Sequence, residues 1–200
     1  MKRPAAELVR LQEISATYLA GKFSRAGAHA AVIDVIIGRL QCSRVSLWRV
    51  DGAPGQLALL CFASKKTGAA LVTRELRLPE SEYRAYFGGL VRTGMYISDD
   101  AMADADLLPM RANYLVPNQV RSMLDAAFLV NGRAYGMVCC EQTDALRRRR
   151  ADEIAALRGI VVKLALLMAS AGDAVLWGSP SRPMAPIPPR ERSAPAERRR

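Results

Sequence analysis

The sequence predicts an α+β fold with a central antiparallel sheet and helices at both ends of the chain. Three observations carry that expectation. Segments with a two-residue apolar period fall between residues 43 and 141, whereas residues 5–40 and 151–171 carry a helical period. The strand-like runs 122–130 and 133–141 flank Asn131-Gly132, a pair that tolerates the positive φ of a two-residue hairpin turn. Hairpins pair strands antiparallel, and helices from both ends can then pack on one face of the sheet.

Each element follows from local pattern. A helix is predicted over 5–19, where Leu8, Leu11, Ser15 and Tyr18 share a stripe and Gly21 is a plausible stop. A second helix, 25–40, places Val32, Val35, Ile36 and Leu40 on one face. Strands at 43–50 and 56–64 are separated by Asp-Gly-Ala-Pro-Gly, a turn cluster, and 70–78 alternates as a third strand. Pro79 opens a helix through Val91, with Tyr83, Tyr86, Phe87 and Leu90 along one face and Gly94 as its stop. A short strand at 95–98 follows. Residues 99–119 keep no strand period and hold a short helix near 107–115. The hairpin and a last helix, 151–171, complete the domain.

The chain has 200 residues, half of them hydrophobic and 24% charged, which suits one soluble domain with appendages. No apolar run reaches the ~18 uncharged residues of a membrane span. The best candidate, 154–169, carries Arg158 and Lys163. The N-terminus has no signal-peptide pattern, and four cysteines do not make a disulfide framework, so a reducing cytoplasm is expected. The net charge of +10 divides into +3 for residues 1–146, +3 for 147–175 and +4 for 176–200. Charge concentrated at one end argues against a nucleic-acid-binding face on the domain. Residues 1–175 are therefore read as the domain and 176–200, rich in Pro and Arg, as a disordered tail.

The run from Tyr83 to Glu141 is more specific. An aromatic helix ending in Gly is followed by Ile-Ser-Asp-Asp-Ala, with a further Asp a few residues on and then Tyr-Leu. Ser-Met-Leu-Asp-Ala lies on the next strand, then a hairpin turn, then Gly-x-Val-Cys-x-Glu. With SRVSLWRVD as a first strand after an apolar helix, this order resembles bacterial GAF sensor domains over about residues 5–171. The resemblance implies that the terminal helices cover one face of the sheet and that a helix and loop layer closes a pocket on the other. It also implies a ligand-responsive module of signalling proteins, often dimeric.

Fold does not fix ligand, so the candidate sites are weighed one by one. Bilin-binding members carry an Asp-containing pocket motif with an attendant His. The lone His29 is predicted on the second helix, away from the pocket, where a packing role is expected, and no cofactor is assigned. Relatives that reduce methionine sulfoxide use cysteines in the region after the third strand, and residues 78–119 contain none. Cys139 and Cys140 should point to opposite faces of one strand, a poor chelator and a poor redox pair. No metal-ligand spacing, nucleophile elbow or phosphate loop is present, nor the residue set of the cyclic-nucleotide-binding members. No catalytic residue is assigned and the chain is expected not to be an enzyme.

The pocket itself remains. Candidate ligand-binding residues are Arg74, Tyr83, Phe87, Asp99, Asp104, Tyr114, Arg121 and Asp125, with Arg74 and Arg121 the cations for an anionic ligand. Asp99 and Asp104 equally suit helix caps, and Asp125 and Glu141 turns and strand ends. In the last helix Ile154, Leu157, Val161, Leu164 and Met168 follow heptad spacing. With Leu8, Leu11 and Tyr18 they form the candidate dimer interface. The expected protein is a cytoplasmic sensor without an output domain of its own that signals as a homodimer to a separate effector. The competing readings are a structural, nucleic-acid-binding or partner-binding module acting through Arg147–Arg150 and the tail, and, behind it, a methionine-sulfoxide-reductase-like enzyme.

Overall fold

The computed structural model describes residues 5–53, 56–73, 76–130 and 133–171. The chain runs α1 (Ala6–Leu19), α2 (Arg25–Leu40), β1 (Arg44–Asp51), β2 (Ala58–Lys66), β3 (Leu76–Pro79), α3 (Arg84–Thr93) and β4 (Met95–Ser98). A 3₁₀ turn (Ala105–Met110) then passes into a π-helical turn (Arg111–Leu115), followed by β5 (Val120–Val130), β6 (Arg133–Thr143) and α4 (Ala151–Ala171). The expected tail, 176–200, lies outside the described residues, as do Arg74 and the Asn131-Gly132 turn.

Local chemistry sets the helix ends. Ser24 caps α2 by accepting a hydrogen bond from the Gly27 N–H at 3.0 Å. Gly94 ends α3 in the left-handed region at φ 73°. Two expectations need correcting at β3. Pro79 does not open a helix: it ends β3, opposite Ala58, and α3 begins at Arg84. β3 is an edge strand, where a residue without an N–H costs no ladder bond. The third strand is also shorter than 70–78. Val72 bridges Ser64, and the β3 ladder to β2 begins at Leu76.

The six strands form one antiparallel sheet in the order β3-β2-β1-β6-β5-β4. Val130 pairs with Arg133, the register of a two-residue hairpin. Alternation along each strand then divides the core in two. Val45, Leu47, Leu124, Val138 and Cys140 meet α1, α2 and α4 on one face. Trp48, Leu59, Met123, Met137 and Cys139 meet α3 and the two short turns on the other. Cys139 and Cys140 point to opposite faces, as their spacing predicts. His29 is buried on the helical face, tilted against Phe62 at 5.0 Å between rings.

Most of the candidate dimer stripe packs within the chain. Leu11, Leu157, Val161, Leu164 and Met168 are buried in the core of the single chain, and Leu8, Tyr18 and Ile154 pack half-buried against it. α4 lies on the sheet beside both α1 and α2, so its heptad stripe is used within the subunit. Among the described residues of these helices, the large apolar side chains left exposed are Val9, Leu19, Val162 and Leu166, the last 61% exposed.

The Arg147–Arg150 run has a structural explanation. Arg147 donates to the Gln41 carbonyl, and Arg149, which is buried, to those of Leu40 and Cys140 at 3.4 and 3.5 Å. Their charges thus sit at the C-terminus of α2, where the helix dipole favours cations. Arg150 donates its backbone N–H to Glu153 at 3.0 Å, closing half of a capping box on α4. Arg148 extends into solvent, 3.7 Å from Asp99.

Candidate functional site

On the sheet face away from α1, α2 and α4, two charges stand directly opposite each other in the ladder. Arg44 on β1 pairs with Glu141 on β6, and both side chains are buried. The Arg44 Nε donates to Glu141 Oε2. The π-helical turn supplies Tyr114, whose hydroxyl donates to Glu141 Oε1 at 2.7 Å. Arg44 Nη1 donates to Asn118 Oδ1 at 2.8 Å, and its guanidinium lies 5.6 Å from the Tyr114 ring centre. Asn118 in turn donates to the Tyr114 carbonyl at 2.8 Å, so the groups hold one another. A buried ion pair is tolerable only with such additional bonds. Burial opposes the Arg44 charge, but Glu141 beside it holds the guanidinium more firmly protonated than usual. Burial and the Glu141 charge push the Tyr114 hydroxyl well above its ordinary value, so it serves as a hydrogen-bond donor.

Beside this seam lies a hollow of about 270 Å³. Ser46, Trp48, Cys61 and Ser64 from β1 and β2 form its sheet side. Arg44, Tyr114 and Asn118 form one wall, Ala69, Ala70 and Val72 come from the connection between β2 and β3, and Leu76 from the start of β3. Trp48 Nε1 donates to Ser46 Oγ at 2.8 Å, which fixes the indole. The exposed Lys66 completes the lining. Apolar walls with a few fixed polar groups are what a small-molecule site requires.

A second buried acid lies on the same face. Asp125 accepts from the Tyr86 hydroxyl at 2.6 Å and is the ladder partner of Cys139. Burial pushes its carboxyl up to about 7, against the opposing pull of the Cys139 thiol and the Tyr86 hydroxyl. Burial likewise raises the Cys139 thiol, with Asp125 and Glu141 adding to it. All four cysteines are buried. Among the described residues no group of three or more His, Cys, Asp or Glu is placed to hold a metal ion.

The residues proposed from sequence are dispersed. Tyr114 lines the hollow, and Arg74 lies outside the described residues. Tyr83 is buried in the core beneath α3. Phe87 borders an apolar crevice of only about 10 Å³, too small for a ligand. Asp104 caps the 3₁₀ turn, accepting from Asp106 N at 3.0 Å and from the Tyr96 hydroxyl at 2.9 Å. Asp99 is exposed beside Arg148. Asp125 is a core residue, and Arg121 lines a different hollow. The residues missed are Arg44, Ser46, Trp48, Ser64, Lys66, Asn118 and Glu141. Arg44, Ser46 and Trp48 alternate along one strand face, a signal present in the sequence. Nothing local marks that face as a site, because the layer that buries it comes from 70 residues further on.

A family model for the GAF domain matches residues 30–168. No curated protein sequence matches the chain. Among solved structures, the phycocyanobilin-bound GAF domain of a cyanobacterial phytochrome is similar at a TM-score of 0.64 and 16% identity, over 84% of this chain and 97% of that one. The blue-light-absorbing form of the Thermosynechococcus elongatus PixJ GAF domain is similar at a TM-score of 0.59 and 17% identity, over 83% and 90%. The phycoerythrobilin-bound GAF domain of a cyanobacterial phytochrome aligns at 0.59 and 17%, over 84% and 96%. At such identities the likeness concerns the fold.

Proposed function

The chain belongs to the GAF family, and from that premise we propose that it is a cytoplasmic, non-enzymatic sensor that binds a small molecule in the hollow beside Arg44 and signals to a separate effector. The observation that carries this reading is the hollow itself, set against a buried and fully bonded polar seam. A ligand in the hollow touches Arg44 on β1, and Arg44 is bonded to Glu141 on β6. β6 leads directly to the Arg147–Arg150 segment, where Arg149 holds the Cys140 carbonyl, and so to α4. Ligand binding then shifts the population of α4 positions, provided that it favours one of them. No helix among the described residues is long and apolar enough to cross a membrane. The engagement of Arg147, Arg149 and Arg150 within the chain weakens the nucleic-acid reading.

The test is a thermal-shift screen of the full chain against small metabolites, with Trp48 fluorescence as a local readout. A ligand at about 100 times its Kd should add roughly 2.7 kcal/mol of stability. Ser64→Phe, which fills the hollow, should abolish the shift. A screen without hits, or a hit that binds Ser64→Phe equally well, refutes the reading.

The homodimer belongs to the same proposal, with its interface moved to the outer sides of α1 and α4, at Val9, Leu19, Val162 and Leu166. Sedimentation of the wild type should give a dimer at micromolar concentration. Combining Val162→Glu with Leu166→Glu should give a folded monomer, because a charge in an apolar interface is costly. A monomeric wild type removes the dimer.

A further inference from the structure

Arg121 stands apart from the seam and hollow described above. Its side chain makes no hydrogen bond or ion pair with any described residue, and its Nε is shielded from water. Arg121 is only half-buried and its guanidinium has no acceptor among the described residues, so its outer nitrogens are free to take one from the hollow. Arg121 lines a second, more open hollow of about 330 Å³ at the start of β5. Met102, Leu115, Val116 and Val120 give it apolar walls. Asp144 lines the same hollow, is exposed, and forms no ion pair with Arg121. Its backbone is pinned to Gln119 by a 3.1 Å hydrogen bond, and both residues adopt positive φ, 69° and 57°. A hollow lined by a cation and an anion that do not pair with each other, and by apolar residues, matches a ligand carrying both charges.

We propose that this second hollow binds an α-amino acid with an aliphatic side chain, in its zwitterionic form. The carboxylate meets the Arg121 guanidinium, the ammonium group meets Asp144, and the aliphatic side chain lies on Met102, Leu115 and Val116. The site shares no lining residue with the first hollow. Tyr114 and Leu115, neighbours on the π-helical turn, line one hollow each, so that turn is the wall between the two sites.

Calorimetry on the full chain tests this with three probes: L-leucine, 4-methylpentanoate, which lacks the ammonium, and 3-methylbutylamine, which lacks the carboxylate. Leucine should bind at least about tenfold more tightly than either analogue, the scale of one charge-assisted hydrogen bond. Arg121→Met should weaken leucine by about tenfold or more. It should leave the melting temperature unchanged, because Arg121 has no partner to lose. Asp144→Asn, at an exposed position, should weaken leucine but not 4-methylpentanoate. Ser64→Phe should leave leucine binding intact, which separates this site from the first. Absence of leucine binding to the wild type, equal binding to Arg121→Met, tighter binding of 4-methylpentanoate, or loss in Ser64→Phe each overturns the proposal.

Discussion

Glu141→Ala is expected to destabilise the fold by about 3–5 kcal/mol in urea denaturation, the loss typical of breaking a buried pair from one side. Glu141 is buried, and two donors converge on it, the Arg44 Nε and the Tyr114 hydroxyl. Truncation leaves Arg44 charged, since a guanidinium does not give up its proton in a protein. It also leaves the Tyr114 hydroxyl without its acceptor. Glu141→Gln should cost less, because an amide oxygen still accepts from Tyr114 while the charge is lost. The double replacement Arg44→Met with Glu141→Leu should recover most of the loss, because no charge then remains buried. The cycle formed by the singles and the double measures the coupling of the two sites. A loss below about 1 kcal/mol for Glu141→Ala means that water reaches Arg44 and the seam is solvated. The functional consequence is separate from stability. The apolar double variant should bind no polar ligand in the hollow even if it folds as well as the wild type, since Arg44 forms its wall.

How far such a site is visible in sequence depends on the range of the interaction. Turn chemistry and periodicity act over a few residues, and they place the element order, the Gly94 stop and the β5–β6 hairpin correctly. Pro79 shows the first failure: its ring suits both a helix start and an edge-strand end, and only the partner strand decides between them. The α4 stripe shows the second. Heptad spacing states that Leu157, Val161 and Leu164 are covered, but not whether by the same chain or another copy. Arg44 and Glu141 show the third, because 97 residues separate them and nothing local links one to the other. Polar residues alternating on a strand read as exposed until the layer packed over them is known. That is why the acids in the irregular segment attracted attention as ligand contacts, while Arg44 and Glu141 did not.

Asp125 offers the second large effect, and its sign is fixed by the direction of its shift. The carboxyl rises from the usual 3.8 to about 7 because it is wholly buried. Below pH 3.8 it is protonated in the folded and unfolded chains alike, and its contribution to stability is fully present. Between 3.8 and about 7 the unfolded chain releases the proton while the folded chain keeps it, so stability falls as pH rises. Above 7 both are ionised, and the whole cost, roughly 4 kcal/mol for a shift of this size, has been incurred. The groups around the carboxyl are Tyr86 from α3, Cys139 and Glu141 from β6, and Arg149 beyond it. Of these, Tyr86 and Cys139 are themselves raised by burial and stay neutral through this range. Asp125→Asn preserves the shape and an acceptor for Tyr86 but cannot ionise. The stability of the wild type relative to Asp125→Asn should therefore decline by roughly 4 kcal/mol between pH 4 and pH 8, while contributions from all other titrating groups cancel. Urea denaturation of the two proteins at each pH gives the difference directly. A difference that stays flat across that range would mean that Asp125 ionises in the folded protein as readily as in water, with a compensating charge or solvent beside it.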